Sequence, residues 1–245
     1  MKKLLLICVN YKSHDALKSF LESVHRAAEN AKGTLQVDIE VIDNSEHNVG
    51  YLGGALPVYN EKAKDYDFVS ISNVDLQLAP DFFEKLTELK TENVGWIAPD
   101  IYTGKRDLHE NPARLKRPTK WNFLIWFLIY SNTFIYKLYH MMYILKSRKR
   151  ADSPSCTIYA GHGSFMLFTK EFIAQYDDLQ FPTFLYGEEI FFAELIRAAN
   201  LKVLYAPILL INNTGNVSTG RVSLKQRSQW SIESLLAIYN TYFKG

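Results

Sequence analysis

The chain has 245 residues, 47% of them hydrophobic and 22% charged, with a formal net charge of +2. That length supports one sizeable core or a domain with an appendage. The near-balanced charge excludes a general electrostatic attraction to nucleic acid, so no nucleic-acid partner is expected. The 15 Tyr and 15 Phe point first to a dense aromatic core. Cys8 and Cys156 are far apart and suggest no disulfide framework, which fits a reducing, cytoplasmic setting.

The opening "MKKLLLICVNYKS" imitates a signal peptide, but its apolar run is short and no small-residue cleavage site follows. It reads as a first strand over "KLLLICV". Ser13 is placed to cap a helix through "DALKSFLESVHRAAENA", whose Leu17, Phe20, Leu21 and Val24 share one face. A second strand, "VDIEVID", precedes a Gly-containing turn and a helix expected near "LPVYNEKAK". A third strand, "DFVSIS", leads to a helix over "PDFFEKLTELK" with Pro at its start, then to a fourth strand, "GWIAP". Repeated strand–helix–strand units argue for a parallel, helix-covered sheet.

From about residue 105 the pattern changes. A basic, Pro-punctuated linker runs into an aromatic segment, 116–150. The globular pattern then resumes with a strand over "CTIYAGHGSFMLF", a helix over "KEFIAQY", a loop "DDLQFPTFLYG", a helix "EEIFFAELIRAAN", a strand "KVLYAP" and a last helix over "LKQRSQWSIESLLAIYNTYF".

Ligands of open parallel sheets bind beyond the carboxyl ends of the strands. Three such ends here are polar: Asn10 and Tyr11 after the first strand, Asp43 and Asn44 after the second, Asn73 and Asp75 after the third. If these strands are neighbours, the groups converge on one cleft. Asp43 would accept from base or ribose donors, Tyr11 would line the base, and Asp75 could hold a divalent cation that bridges two phosphates. Taken singly, each aspartate reads more readily as a turn residue bonded to its own backbone; the three polar ends together point to a site.

The motifs "VIDNSEHNVGYLGGA", "ISNVDLQLAPDFF", "GHGSFMLFTKEF" and "FLYGEEIFFAELIRAANLKVLYAP" resemble, in order, those of family-two glycosyltransferases, nearest to the rhamnosyltransferase-like branch that builds bacterial surface polysaccharides. The resemblance covers nearly the whole chain except the aromatic segment. It implies an α/β GT-A fold, a single Rossmann-like mixed sheet flanked by helices over 1–245, with 116–150 as a helical insert. It also implies a nucleotide-sugar donor (dTDP-rhamnose or a UDP-sugar), a Mg²⁺ or Mn²⁺ ion and inversion at the anomeric carbon. Carried over, Asp43 contacts the base, and Asn48, Gly50 and Gly53 form the loop beside the donor. Asn73 and Asp75 stand at the Asp-X-Asp position, with Asp75 the metal ligand. Glu189 aligns with the catalytic base and Glu188 is a second candidate; Gly187 and His162 lie on the acceptor side.

Glycosyl transfer needs a base for the acceptor hydroxyl and positive charge for the leaving diphosphate. Adjacent glutamates on a helix point roughly 100° apart, so only one faces the acceptor, and a helix amino end favours its ionised form. Two positions depart from the family pattern. Asn73 replaces the first aspartate of the Asp-X-Asp motif. Asn213 stands where a metal-binding histidine is usual, so the expected metal set is Asp75 with Asn213, and Arg221 and Lys225 are the expected phosphate contacts. These departures keep open a second reading, a non-catalytic glycosyltransferase-like subunit of a membrane complex.

The insert is apolar over 121–145, interrupted at Ser131-Asn132-Thr133 and by Lys137 and His140. Basic residues flank it: Lys116, Arg117 and Lys120 before, Lys146, Arg148, Lys149 and Arg150 after. A spanning helix needs ~20 mainly apolar residues; this pattern suits one or two helices lying in a membrane interface, or a helical pair packed on the core or in a homodimer contact. It places the chain at the inner face of the cell membrane and favours a lipid-linked saccharide acceptor, such as one carried on polyprenyl diphosphate.

Overall fold

The strand β1 (Lys2–Asn10) is the reference from which the sheet is laid out. It pairs in parallel with β2 (Leu35–Asp43) on one side and β3 (Phe68–Asn73) on the other. Beyond β3 the direction reverses: β8 (Phe165–Thr169) runs antiparallel between β3 and β5 (Val94–Thr103). The strand β9 (Lys202–Asn213) pairs in parallel with β5, and β4 (Leu76–Leu78) pairs antiparallel with the far end of β9. Two short strands, β6 (Leu108–His109) on β5 and β7 (Cys156–Ile158) on β9, complete a mixed nine-stranded sheet. The computed structural model describes residues 1–104, 107–145, 154–215 and 222–244, the side chains of 140 and 143–145 excepted.

Successive residues of β1 point to opposite faces and feed two cores. Leu5, Ile7 and Val9 pack on one face with α2 (Tyr51–Lys62), the one-turn α6 (Lys170–Ile173) and α7 (Glu188–Ala198). Leu4, Leu6 and Cys8 pack on the other with α1 (His14–Asn30) and α3 (Phe82–Glu88). On α1 the fully buried residues are Phe20, Val24 and Ala27, with Leu17 and Leu21 packed beside them. Cys8 lies inside its core as a small apolar group, and burial pushes its thiol up to about 12, which makes it chemically inert.

Several sequence expectations need correction. The sheet is mixed, as the family resemblance implies, and not all parallel as the strand–helix repeats alone suggest, because β8 enters it antiparallel. The stretch 156–168 is not one strand: β7 pairs with β9 while β8 pairs with β3 and β5, so the chain must cross between them. The helix expected to start near Leu56 starts at Tyr51 and holds Pro57 inside it. The helix after β8 stops at Ile173, and the last strand continues from Pro207 to Asn213 through a bulge. Ser13 does occupy the N-cap position of α1, but its hydroxyl donates to the Tyr11 carbonyl at 2.9 Å.

The insert forms two helices, α4 (Lys120–Ser131) and α5 (Thr133–Leu145). A capping box between Thr119 and Asn122 starts the first. The Asn132 side chain, accepting from the Phe134 and Ile135 amides at 3.0 and 3.1 Å, starts the second. Both lie against α8 (Leu224–Tyr242), and Phe123, Ile190, Ile238 and Phe243 form a small third core that joins α4, α7 and α8.

Arg117, expected as part of the insert's basic flank, is committed inward. Its Nε and Nη2 donate to the two carboxylate oxygens of Glu194 at 2.7 and 3.0 Å, and Nη2 also reaches the Tyr242 carbonyl. The Glu194 side chain is fully buried and also accepts from Tyr159 at 2.8 Å and Arg197 at 3.0 Å. Burial alone would raise this carboxyl, but the bonds from Arg117, Tyr159 and Arg197 outweigh it and hold it below the usual range. A charge buried this way is tolerated only while its partners remain. Glu194→Gln is therefore expected to destabilise the fold by about 3 kcal/mol, a fall of roughly 6–12 °C in Tm for a chain of this size, read by thermal denaturation.

Candidate active site

The register of β1 with both neighbours decides where the polar strand ends fall. Asn10 lies opposite Asp43, and Val9 opposite Asn73, so the carboxyl ends of β1, β2 and β3 finish in one row. Just beyond that row is a cleft of about 260 Å³, lined among others by Tyr11, Asn48, Asn73, Asp75, His162, Glu188 and Glu189.

The strand-end side of the cleft is built from short side chains tied to backbone. Asn10 is fully buried; its amide donates to Asp43 at 3.2 Å and its oxygen accepts from the Ser13 amide. Asp43 is exposed and also takes the Ser45 hydroxyl and amide. The Ser45 hydroxyl bond, helped by the Ser45 amide and Asn10, holds its carboxyl below the usual range. Buried Asn44 donates to the Gly50 carbonyl at 2.9 Å, and Asn48 accepts from the Gly50 amide at 3.0 Å. Gly50 has φ +86°, and the Phe184 carbonyl sits where a side chain would be. Only glycine satisfies both conditions, and this contact sets the 177–187 loop against the strand-end side of the cleft.

The opposite wall is the amino end of α7. Gly187, in a left-handed conformation, caps it, and Glu188 and Glu189 form its first turn. Gly163 lies against both carboxylates: a side chain there would stand 2.8 Å from Glu188 Cγ and 3.1 Å from Glu189 Oε1. Its bare amide donates to Glu189 Oε1 at 3.3 Å. Burial first, and then the neighbouring Glu189 charge, push the Glu188 carboxyl well above its usual value. The Tyr51 hydroxyl is buried without a hydrogen-bond partner among the described residues; burial, followed by the charges of Glu188, Glu189 and Asp75, raises it far above its usual value.

His162 occupies the floor between these walls. Its Nε2 is 2.9 Å from Glu110 Oε2, and its Nδ1 is 2.9 Å from the Ser164 hydroxyl. Glu110 also accepts from Thr103 at 2.5 Å and Asn213 at 3.0 Å. Burial acts against the imidazolium, but the bond to Glu110 and the nearby carboxylates outweigh it and lift His162 to about 9. Burial likewise acts against the Glu110 carboxylate, and the charge and hydrogen bonds around it hold it at about 2. Paired with Glu110, His162 is placed to carry positive charge inside the cleft.

The residues expected at the site divide into three groups. Tyr11, Asn48, Asn73, Asp75, His162, Glu188 and Glu189 line the cleft, while Asn10, Asp43, Gly50 and Gly187 shape its borders. Gly53 is exposed on the first turn of α2, and Lys225 is exposed on α8, apart from the lining. Asn213, expected at the metal, instead gives its amide to Glu110 and its oxygen to the Gly215 amide at 2.9 Å. Arg221 lies outside the described residues. Among the described residues, no three His, Cys, Asp or Glu side chains cluster as a metal set. Sequence reasoning missed Glu110, Tyr51 and Trp230. Glu110 sits in an irregular linker with no periodicity to mark it. Trp230 lines the cleft against Phe184, with ring centroids 4.8 Å apart, and resembles any apolar helix residue.

No protein-family model and no curated protein matches the chain. Solved structures do. The catalytic domain of Drosophila β1,4-galactosyltransferase 7 in complex with xylobiose superposes with a TM-score of 0.54 at 14% identity, over 94% of this chain and 80% of that one. A variant of the same enzyme, in complex with manganese, UDP-Gal and xylobiose, gives 0.54 at 13% identity, over 94% and 81%. GalNAc-T7 with UDP, GalNAc and Mn²⁺ gives 0.58 at 13% identity, over the whole of this chain and 48% of that one. The mixed sheet, its flanking helices and the cleft at the parallel strand ends are together the GT-A fold of these glycosyltransferases.

Proposed function

We propose that the chain is an inverting glycosyltransferase that moves a sugar from a nucleotide-diphosphate donor to a saccharide acceptor. The observation that carries this reading is the pairing of two walls across one small cleft. Asn48, Asn73, Asp75 and Tyr11 stand at the strand ends, and Glu188 with Glu189 faces them from a helix amino end. In this reading Asp43, at the border, accepts from the base. Glu189, oriented by the Gly163 amide, takes the proton of the acceptor hydroxyl. The acceptor oxygen forms a bond to the anomeric carbon as the bond to the diphosphate breaks on the opposite side, which inverts that carbon. His162 has both ring nitrogens engaged, so it is not the base; it contributes fixed positive charge between the walls.

The donor set fits a divalent ion that enters with the diphosphate, not one caged by protein alone. Mg²⁺ takes one or two carboxylates with phosphate oxygens, and Asp75 offers one carboxylate near the unpartnered Tyr51 hydroxyl. Mg²⁺ or Mn²⁺ held there would neutralise charge on the leaving diphosphate. A UDP- or dTDP-linked donor, a lipid-linked saccharide acceptor and a role in surface-polysaccharide synthesis complete the proposal; they rest on the sequence motifs.

Three outcomes are expected. UDP or dTDP with Mn²⁺ raises the Tm by mass action, and Asp75→Ala or EDTA removes the shift; no shift with any nucleotide in folded protein would refute donor binding. Glu189→Gln keeps the nucleotide shift but lowers transfer by about 10²–10⁴-fold, the usual worth of a general base. In Glu110→Gln the His162 imidazole titrates below about 9, toward its ordinary value, as read by NMR. The raised His162 stabilises fully below its unfolded value of 6.5 and loses this as pH rises through about 9. The lowered Glu110 stabilises fully above its unfolded value of 4.5 and loses this as pH falls toward about 2. The stability difference between wild type and Glu110→Gln is therefore largest between pH 4.5 and 6.5.

A further inference from the structure

The two insert helices are apolar but scarcely buried. In α4 only Phe123 is buried, and in α5, among the described side chains, only Tyr136. Trp121 is 73% exposed, Phe134 76% and Met142 63%. Exposed Trp121, Leu124, Ile125 and Leu128 recur at helical spacing on α4, as Phe134, Leu138, Met141 and Met142 do on α5. Most exposed large hydrophobic side chains among the described residues lie on this pair. Between α4 and α8 runs an apolar groove of about 570 Å³, lined by Trp121, Leu124, Phe127, Leu235, Leu236 and Tyr239, with Lys120 also in its lining. A helix apolar on every side belongs in a core or in lipid, and these helices are not in the core.

Charge identifies the occupant. From 116 to 150 the sequence holds eight Lys and Arg and no Asp or Glu; of these, Arg117 is spent on Glu194, while Lys116, Lys120 and Lys137 are exposed. A second copy of the chain would set this cationic face against itself. Seven of the eleven exposed large hydrophobic side chains on the pair are Leu, Ile or Met, which suit hydrocarbon better than base stacking. No described helix is long and apolar enough to cross a membrane.

We infer that the α4–α5–α8 face docks in the plane of an anionic lipid bilayer, with the groove taking a hydrocarbon chain and the lysines meeting the headgroups. This goes beyond the transfer reaction and does not depend on it. It does give that reaction an orientation. Trp230 lines the cleft and Leu235 the groove on the same helix, five residues or about 8 Å apart along its axis. The docked face would hold the cleft at the membrane surface, within reach of a saccharide on a lipid anchor.

The test is flotation of the full chain with vesicles of phosphatidylcholine alone and of phosphatidylcholine with phosphatidylglycerol. Binding is expected to the anionic vesicles and to weaken as salt rises. Lys137→Glu should lower partitioning about fivefold or more, since each basic residue near such a surface contributes a factor of this size. The double change Leu128→Asp with Phe134→Asp should abolish binding; both sites are exposed, and an unchanged melting curve will show that the fold survives. Wild type that stays off both vesicles, binds neutral vesicles equally, or matches the double variant would overturn the inference. So would a dimer in solution that the double variant dissolves while vesicles capture nothing. The nucleotide-dependent Tm shift is measured on the same samples, so loss of docking and failure of donor binding are read separately.

Discussion

The site depends on β1 being in register with β2 and β3 at once. Parallel pairing fixes which residues end side by side, and here it sets Asn10 beside Asp43 and Val9 beside Asn73, so the three strands end within one residue of each other. A slip of one residue would turn every side chain to the other face and would mix Leu4, Leu6 and Cys8 with Leu5, Ile7 and Val9. Each set belongs to a different core, so burial on both faces protects the register. The polar strand ends are therefore held in place by apolar residues packed in the two cores.

The second wall needs its own support, because α7 presents two carboxylates toward the interior. Two devices supply it. At the far end of the helix, Glu194 gathers Arg117, Tyr159 and Arg197, which ties the linker before the insert, the segment after β7 and the helix itself to one buried charge. At the near end, the close approach of Gly163 gives Glu189 a backbone donor. Like charges placed together raise the proton affinity of one, and the environment makes that one Glu188. His162 then balances the cleft with a cation that Glu110 holds in place.

One helix links this chemistry to the outer face. The carbonyl of Tyr186, just before the α7 cap, accepts from Ser234 of α8, and that of Tyr130 in α4 accepts from Ser228. The insert is thus anchored through α8 to the loop that borders the cleft. Its remaining surface is apolar and basic, an arrangement that costs solubility in water and is useful only against a partner.

The sequence by itself determined the α/β class, the three polar strand ends, the glutamate pair opening α7 and an apolar insert broken at Ser131-Asn132-Thr133. Each has a local signal: strand-length apolar runs, turn residues after them, a Gly before a helix start, and Ser-Asn-Thr between two apolar stretches. Tertiary structure alone decided the antiparallel entry of β8, the pairing of Arg117 with buried Glu194 and the partnership of His162 with Glu110. Arg117 looks like any solvated basic flank until Glu194, far along the chain, is folded beneath it. Asn213 looks like a ligand until Glu110 and Gly215 claim its amide. Periodicity reports which face of a helix or strand is buried, because neighbours within a few residues share that face. It carries nothing about which distant side chain completes a hydrogen bond, because that depends on how the strands are ordered in the sheet.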